Sequence, residues 1–154
     1  MSGDNPVMSY EDYLEKYGVL TYRFRGVSML PMLRQNTDLI SVCRKTPERC
    51  KKYDVVLYRR KPDQYVLHRV VKVREKDYVI LGDNCVNKEY GITDDDIIGI
   101  LTEYIRDGKK YSVNSLRNKL YSRVRVFLYP LRKRYCMLRS RLSHIEFLRR
   151  LLGK

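Results

Sequence analysis

Five strand-like runs follow one another between Leu20 and Ile105, and this succession constrains the fold more than any other feature of the 154-residue chain. Tyrosine, which suits half-buried strands, supplies 14 aromatic residues against three phenylalanines and no tryptophan. The pattern favours a mainly β fold, an antiparallel β-rich body, over a helical core. The five runs cover residues 38–43, 53–60, 64–73, 77–81 and 97–105.

Local turn and cap signals connect these runs. Residues 61–63 are Lys-Pro-Asp, and a proline with its fixed φ suits a tight turn, so runs 53–60 and 64–73 should form a long hairpin. Upstream, Ser9 has the Ser-x-x-acid spacing of a helix start, and Gly18 can end that helix. We therefore expect a short amphipathic N-terminal helix beside the body.

Charge divides the chain into two parts. The net charge is +14, and residues 109–154 hold 14 Lys and Arg against the single acid Glu146, which leaves about +1 for residues 1–108. We predict a β domain over 1–108 and a basic helical tail over 109–154.

The tail over 112–154 combines this charge with helical periodicity. Pro130 should divide it into two helices, because proline removes a backbone donor and clashes with the preceding turn. Such basic amphipathic helices are typical of elements that lie on an anionic membrane surface, which is the favoured partner. Packing on the body, an oligomer contact and nucleic acid are the alternatives, and nucleic acid is unlikely because it needs no apolar stripe. Before the proline, the apolar positions are Leu116, Leu120, Val124 and Phe127.

One serine, one histidine and one carboxylate are candidates for acyl-transfer chemistry. Ser28 lies in a turn between Gly26 and Pro31, and His68 interrupts an apolar run that has no packing need for an imidazole. A serine hydroxyl needs a base within hydrogen-bond reach to act as a nucleophile, and histidine is suited to that task at neutral pH. Asp83, in the turn after a further apolar run, could orient the imidazole.

These segments form an ordered series of boxes that resembles the signal peptidase I and repressor-protease (S24/S26) superfamily. The resemblance covers roughly residues 20 to 105, and its order is more specific than any single box. Many members use a lysine base, whereas His68 at the matching position resembles the serine–histidine branch that includes the endoplasmic-reticulum signal peptidase. The boxes are 26–31 (Gly-Val-Ser-Met-Leu-Pro), 37–40 (Thr-Asp-Leu-Ile), 53–58 (Tyr-Asp-Val-Val-Leu-Tyr), 67–71 (Leu-His-Arg-Val-Val), 82–84 (Gly-Asp-Asn) and 97–99 (Ile-Ile-Gly).

The resemblance implies a serine endopeptidase with Ser28 as nucleophile and His68 as base. The branch places its acid a few residues after the Gly-Asp-Asn turn, where Glu89 matches; Asp83 is the slightly preferred orienter, and Glu89 is the alternative. The branch usually has a serine two places before the nucleophile, but this chain has Gly26 there. Backbone N–H groups around Ser28 would therefore have to receive the oxyanion.

The resemblance also implies an extended peptide or protein substrate with small side chains near the scissile bond. The substrate-binding residues would surround the nucleophile: Gly26, Val27, Met29 and Pro31. The rival interpretation is a catalytically inactive or regulatory peptide-binding module of the same fold, docked to a membrane or partner by its tail.

Neither a cofactor nor a metal site is expected. The four cysteines show no Cys-x-x-Cys spacing, and the adjacent carboxylates of residues 94–96 suit a solvated turn better than a metal site. Cys85, close to Asp83 in sequence, is expected near the site as a packing residue.

Localisation is predicted only in outline. Residues 1–8 are not a secretory signal, and no stretch of 18 consecutive apolar residues occurs. We therefore expect a peripheral membrane protein or a cytoplasmic one, and the oligomeric state is left open.

Overall fold

A computed structural model describes residues 8–60 and 64–151, with side chains up to residue 141. The fold is mainly β, with a short N-terminal helix and C-terminal helices, as predicted. The elements are α1 (Tyr10–Tyr17), β1 (Val19–Arg23), β2 (Leu39–Arg44), β3 (Val55–Arg60), β4 (Gln64–Val73), β5 (Tyr78–Leu81), β6 (Glu89–Ile92), β7 (Ile97–Arg106), β8 (Lys109–Ser112), α2 (Leu116–Phe127) and α3 (Tyr129–Leu151).

The strands form one curled antiparallel sheet. Its order is β1-β2-β7-β3-β4-β5-β6, and β8 pairs with β7 beside this path. The pairing of β3 with β4 runs from Val55 opposite Arg69 to Arg60 opposite Gln64, which confirms the predicted hairpin. Its turn, 61–63, lies outside the described residues.

Strand β3 is buried on both faces and separates two apolar clusters. Val55 and Leu57 pack in one cluster with Leu14 of α1, whereas Val56 and Tyr58 pack in the other. Successive strand residues point to opposite faces, so this alternation follows directly from the backbone. The β body therefore offers a rigid frame on which side chains from distant segments can meet.

Helix α1 begins and ends where its caps predict. The Ser9 hydroxyl accepts a hydrogen bond from the Asp12 backbone N–H at 3.1 Å, and Gly18 ends the helix with a φ of 75°. Leu14 is its buried anchor, whereas the rings of Tyr13 and Tyr17 stay exposed.

The sheet continues beyond the predicted domain boundary at 108/109. Strands β7 and β8 form a hairpin, with Arg106 opposite Lys109. The two turn residues Asp107 and Gly108 have φ values of 51° and 72°, as a two-residue hairpin turn of the Asp-Gly type requires. The boundary at 108/109 therefore divides a hairpin, and the helices begin only after Ser115 caps α2.

Candidate active site

Ser28, His68 and Glu89 line one cleft of about 710 Å³ on the surface of the β body. Three segments remote in sequence contribute to it: the turn after β1, the first half of β4, and the stretch from Cys85 to β6. The curled sheet brings these segments to one place, so the predicted nucleophile and base share a pocket open to solvent.

His68 is held in a single orientation by its neighbours. The side chain is 6% exposed, and its Nδ1 lies 3.0 Å from Glu89 Oε1. Burial lowers the pKa of the imidazole below its ordinary value of 6.5, and the nearby negative charge of Glu89 opposes this shift without cancelling it. His68 is therefore neutral at pH 7, and a Glu89 carboxylate that only accepts hydrogen bonds leaves the proton on Nδ1 and the acceptor electron pair on Nε2, which lies 4.0 Å from Cys85 Sγ.

Glu89 is in turn fixed by Tyr58 and Arg60 of β3. The Tyr58 hydroxyl donates to Glu89 Oε2 at 2.8 Å, and Arg60 Nε donates to the same oxygen at 3.0 Å. Burial alone would raise the pKa of the Glu89 carboxyl, but the hydrogen bonds from Arg60 and Tyr58 outweigh it, and the pKa falls below the ordinary 4.5. Glu89 is therefore ionised at neutral pH and can stabilise a protonated His68.

Asp83, the preferred orienter, does not contact the imidazole. Its carboxylate forms a two-pronged ion pair with Arg69, in which Nε donates to Oδ1 at 2.8 Å and Nη2 donates to Oδ2 at 2.7 Å. The Tyr121 hydroxyl of α2 adds a third hydrogen bond, to Oδ2 at 3.0 Å. Both oxygens of this buried carboxylate are thus engaged away from His68, and Glu89, the alternative, is the carboxylate that contacts the imidazole.

The turn that carries Ser28 is fastened to the loop that carries Asp83. The Asn84 backbone N–H donates to the Ser28 carbonyl oxygen at 2.7 Å. Between them lies Gly82, where an added Cβ would stand 2.8 Å from that carbonyl oxygen, 2.9 Å from His68 Nε2 and 2.6 Å from Cys85 Sγ. A glycine is required here because the imidazole and the serine segment approach each other across it.

Ser28 lines the cleft, but its hydroxyl is not hydrogen-bonded to His68 in the described structure. Within the same described residues, the backbone N–H groups of Ser28 and Met29 donate to no acceptor. These are the groups that would receive an oxyanion.

Cys85 lies next to His68, as its sequence position suggested. Its Sγ is 4.0 Å from His68 Nε2. Burial raises the pKa of this thiol above its ordinary 9.0, so it is protonated at neutral pH and serves as a small packing group beside the imidazole.

The residues predicted to bind substrate do not form the cleft wall. Met29 is fully buried in the apolar core, so the prediction is wrong for its side chain, which cannot meet a peptide. Gly26, Val27 and Pro31 are exposed but do not line the cleft. Adjacent residues replace them: the lining comes from Phe24 and Arg25 on one side, from 64–67 on another and from 85–87 on a third.

One edge of β4 faces this cleft. Strand β5 pairs with β4 only from Arg69 onward, opposite Leu81, so the preceding half of β4 has β3 on one side and the cleft on the other. Such an edge can pair with the main chain of an extended peptide.

Sequence reasoning missed the supports of the site, namely Tyr58, Arg60 and Gly82. The first two stand two positions apart on β3, in the partner strand of a hairpin whose other strand carries His68. Their period-two spacing beside the candidate base was the available signal. Gly82 lies in one of the boxes of the family resemblance. Only the fold shows that the absence of a side chain there leaves room for His68, the Ser28 carbonyl oxygen and Cys85.

The described residues contain no group of three or more His, Cys, Asp and Glu side chains that could hold a metal ion. None of their helices has both the length and the apolar character needed to cross a membrane. Comparison of the chain with known protein families, with curated proteins and with solved structures finds no match.

Proposed function

We propose that the chain is a signal-peptidase-like serine endopeptidase that cleaves an extended peptide by a Ser28–His68 mechanism. The observation that carries the proposal is the buried, neutral His68, which Glu89 holds through Nδ1 while Nε2 lies beside the Ser28 segment. A structural histidine has no need of an ionised carboxylate on one nitrogen and of a place in a cleft that a serine also lines.

The proposed first step forms a bond between Ser28 Oγ and the scissile carbonyl carbon. The serine proton passes to His68 Nε2, and Glu89 stabilises the resulting imidazolium. The backbone N–H groups of Ser28 and Met29 receive the oxyanion, which compensates for the absence of a serine hydroxyl at Gly26.

The tetrahedral intermediate then breaks the peptide bond, and the His68 imidazolium gives its proton to the leaving amine. Water attacks the acyl-Ser28 ester in the second half of the reaction, with His68 again as base. Hydrolysis releases the new carboxyl terminus and returns the proton to Ser28.

The cleft favours an extended peptide as substrate. Main-chain pairing with the β4 edge would place the peptide beside Val66 and Leu67, with Ser28 and His68 at the end of this track. Pairing through the main chain gives affinity with little side-chain demand. Small side chains near the scissile bond are the preference that the family resemblance adds.

Labelling with a fluorophosphonate probe tests the proposal directly. The wild-type chain should be labelled and should cleave a signal-peptide-like substrate, and Ser28→Ala should lose both activities with an unchanged melting temperature. Ser112→Ala, which removes an exposed hydroxyl far from the cleft, is the matched control and should behave as wild type. Equal turnover by Ser28→Ala would refute the assignment.

One observation favours a second candidate, a peptide-binding module without catalysis. Ser28 makes no hydrogen bond to His68 among the described residues, and Cys85 Sγ stands 4.0 Å from Nε2. Under this alternative, the wild-type chain binds the same extended peptide but neither reacts with the probe nor cleaves. The labelling experiment separates the two functions.

A further inference from the structure

Helix α2 packs on the body with its polar side. Asn118 and Ser122 are the buried residues of this helix, and their partners are the Ser112 carbonyl oxygen, at 2.6 Å from Asn118 Nδ2, and Arg69 Nη1, at 2.7 Å from Ser122 Oγ. Tyr121 and Arg125 point the same way, toward Asp83. Val126 and the ring of Tyr121 also pack on the body, but the four other apolar residues of α2 face outward. The usual arrangement of a surface helix, apolar side inward, is thus largely reversed.

The apolar side of α2 therefore faces outward, and it continues onto α3. The outward residues are between 45% and 86% exposed. Leu120 and Val124 of α2 and Leu131 and Tyr135 of α3 line one shared hollow of about 680 Å³. We define the outer face as Leu116, Leu120, Val124, Phe127, Leu131 and Tyr135.

The outer face is surrounded by positive charge. Residues 116–141 contain nine Lys and Arg and no Asp or Glu. Two of the nine, Arg125 and Arg132, turn inward to the Asp83 carbonyl oxygen. The other seven are exposed, among them Arg117, Arg123 and Arg134. An occupant of this face must combine an apolar interior with an anionic boundary.

We infer that the outer face of α2 and α3 docks on the surface of an anionic lipid bilayer. Leucine, valine and phenylalanine side chains enter the acyl boundary while the flanking arginines meet the headgroups. A second copy of the chain fits poorly, because a two-fold contact would press two like-charged faces together. Nucleic acid would match the charge but would leave the apolar residues exposed to water.

Docking would bring the bilayer close to the cleft. Arg132 donates to the carbonyl oxygens of Asp83 and Cys85, and the Tyr129 hydroxyl donates to that of Val86 at 2.7 Å. Cys85 and Val86 line the cleft, so the helices that touch the membrane also hold a wall of the site. The lipid inference itself does not depend on the proposed peptidase activity.

Vesicle flotation with the full chain tests this inference. The wild type should float with phosphatidylcholine vesicles that contain about 30% phosphatidylglycerol and should bind pure phosphatidylcholine at least about tenfold less well. Leu120→Ser with Phe127→Ser should reduce binding to the anionic vesicles by about tenfold or more. Both side chains are exposed, 65% and 80%, so circular dichroism and the melting temperature should stay unchanged.

Matched controls separate this face from exposed residues in general. Tyr17→Ser with Val19→Ser removes exposed side chains of the body and should leave flotation unchanged. Arg117→Gln, Arg123→Gln and Arg134→Gln together should weaken binding and its salt dependence.

Three results would overturn the inference. The first is absence of flotation by the wild type, and the second is undiminished flotation of the Leu120/Phe127 double variant. The third is a wild-type dimer, detected by light scattering, that is lost in the double variant while wild-type flotation stays at background. This result would assign the outer face to a second copy of the chain. Serine-probe labelling is measured in parallel, so loss of vesicle binding with labelling intact is distinguishable from failure of the proposed activity.

Discussion

Asp83 and Glu89, the two carboxylates near the cleft, differ in their surroundings. The difference indicates a structural role for one and supports the proposed catalytic role of the other. Asp83 is 3% exposed and meets the guanidinium of Arg69 edge to edge, with both groups buried. Glu89 is a quarter exposed, lines the cleft and meets the imidazole of His68. Asp83 therefore belongs to the packing between sheet and helices, whereas Glu89 faces the space where a substrate would bind.

The comparison also shows which carboxylate affects the His68 imidazole. A buried imidazole beside a fully paired Asp83 gains little from that charge, whereas Glu89 shares its oxygens among His68, Tyr58 and Arg60. A carboxylate held by several hydrogen-bond partners can stabilise a positively charged imidazolium without changing its position. Four predictions test this division of roles.

The largest effect is expected for Glu89→Gln. Glutamine keeps the shape but can donate to Nδ1, which would place the histidine proton on Nε2 and remove the acceptor that Ser28 needs. The rate of peptide cleavage should fall by about 10³- to 10⁴-fold, the loss that follows a wrong histidine tautomer. The free energy of unfolding, measured by urea denaturation, should change by only about 1 kcal/mol. A variant with wild-type kcat would contradict the role given to Glu89.

Asp83→Asn should show the opposite behaviour. The substitution leaves the buried Arg69 guanidinium without its counter-charge, so the free energy of unfolding should fall by about 3–5 kcal/mol. Urea denaturation measures this loss. Where the variant is still folded, its fluorophosphonate labelling should exceed that of Glu89→Gln. An Asp83→Asn variant that is inactive but as stable as the wild type would reverse the two assignments.

Gly82→Ala should disturb the cleft through crowding. The new methyl group would stand within 3 Å of Ser28, His68 and Cys85 atoms, so either the imidazole or the serine turn must shift, at a cost of about 1–3 kcal/mol. Gly99→Ala is the control, because its methyl group would press on Val42 Cγ1 at 2.4 Å in the core. Both should lower the melting temperature, but only Gly82→Ala should lower kcat in its folded fraction.

The smallest effect is expected in the pH profile. His68 acts as a base only when neutral, and burial lowers its pKa, so kcat/KM should fall on the acid side with a midpoint below 6.5. Unfolding exposes the ring and lets it take up a proton, so stability should also decrease as the pH falls below the unfolded value. A pH-rate profile that is flat between about pH 5 and 8 would argue against His68 as the base.

Most of the local structure was accessible from the chain itself. The caps Ser9 and Gly18, the break at Pro130 and the β3–β4 hairpin were confirmed, because each depends on residues adjacent in sequence or on one strand period. Of the three four-residue strands that the structure describes, β6 and β8 were not among the predicted runs. None of their residues is buried, so they lack the apolar pattern that reveals the equally short but fully buried β5.

For the site, the chain determined which residue types could react: one serine in an accessible turn and one histidine within an apolar strand. Tertiary structure decided which carboxylate serves the histidine. The position of Glu89 depends on a register shift between β5 and β6 that places it opposite Ile80. Strand pairing of this kind cannot be predicted from local sequence. It also decided that α2 packs by its polar side, because Asn118, Ser122 and Arg125 find partners that only the folded body assembles.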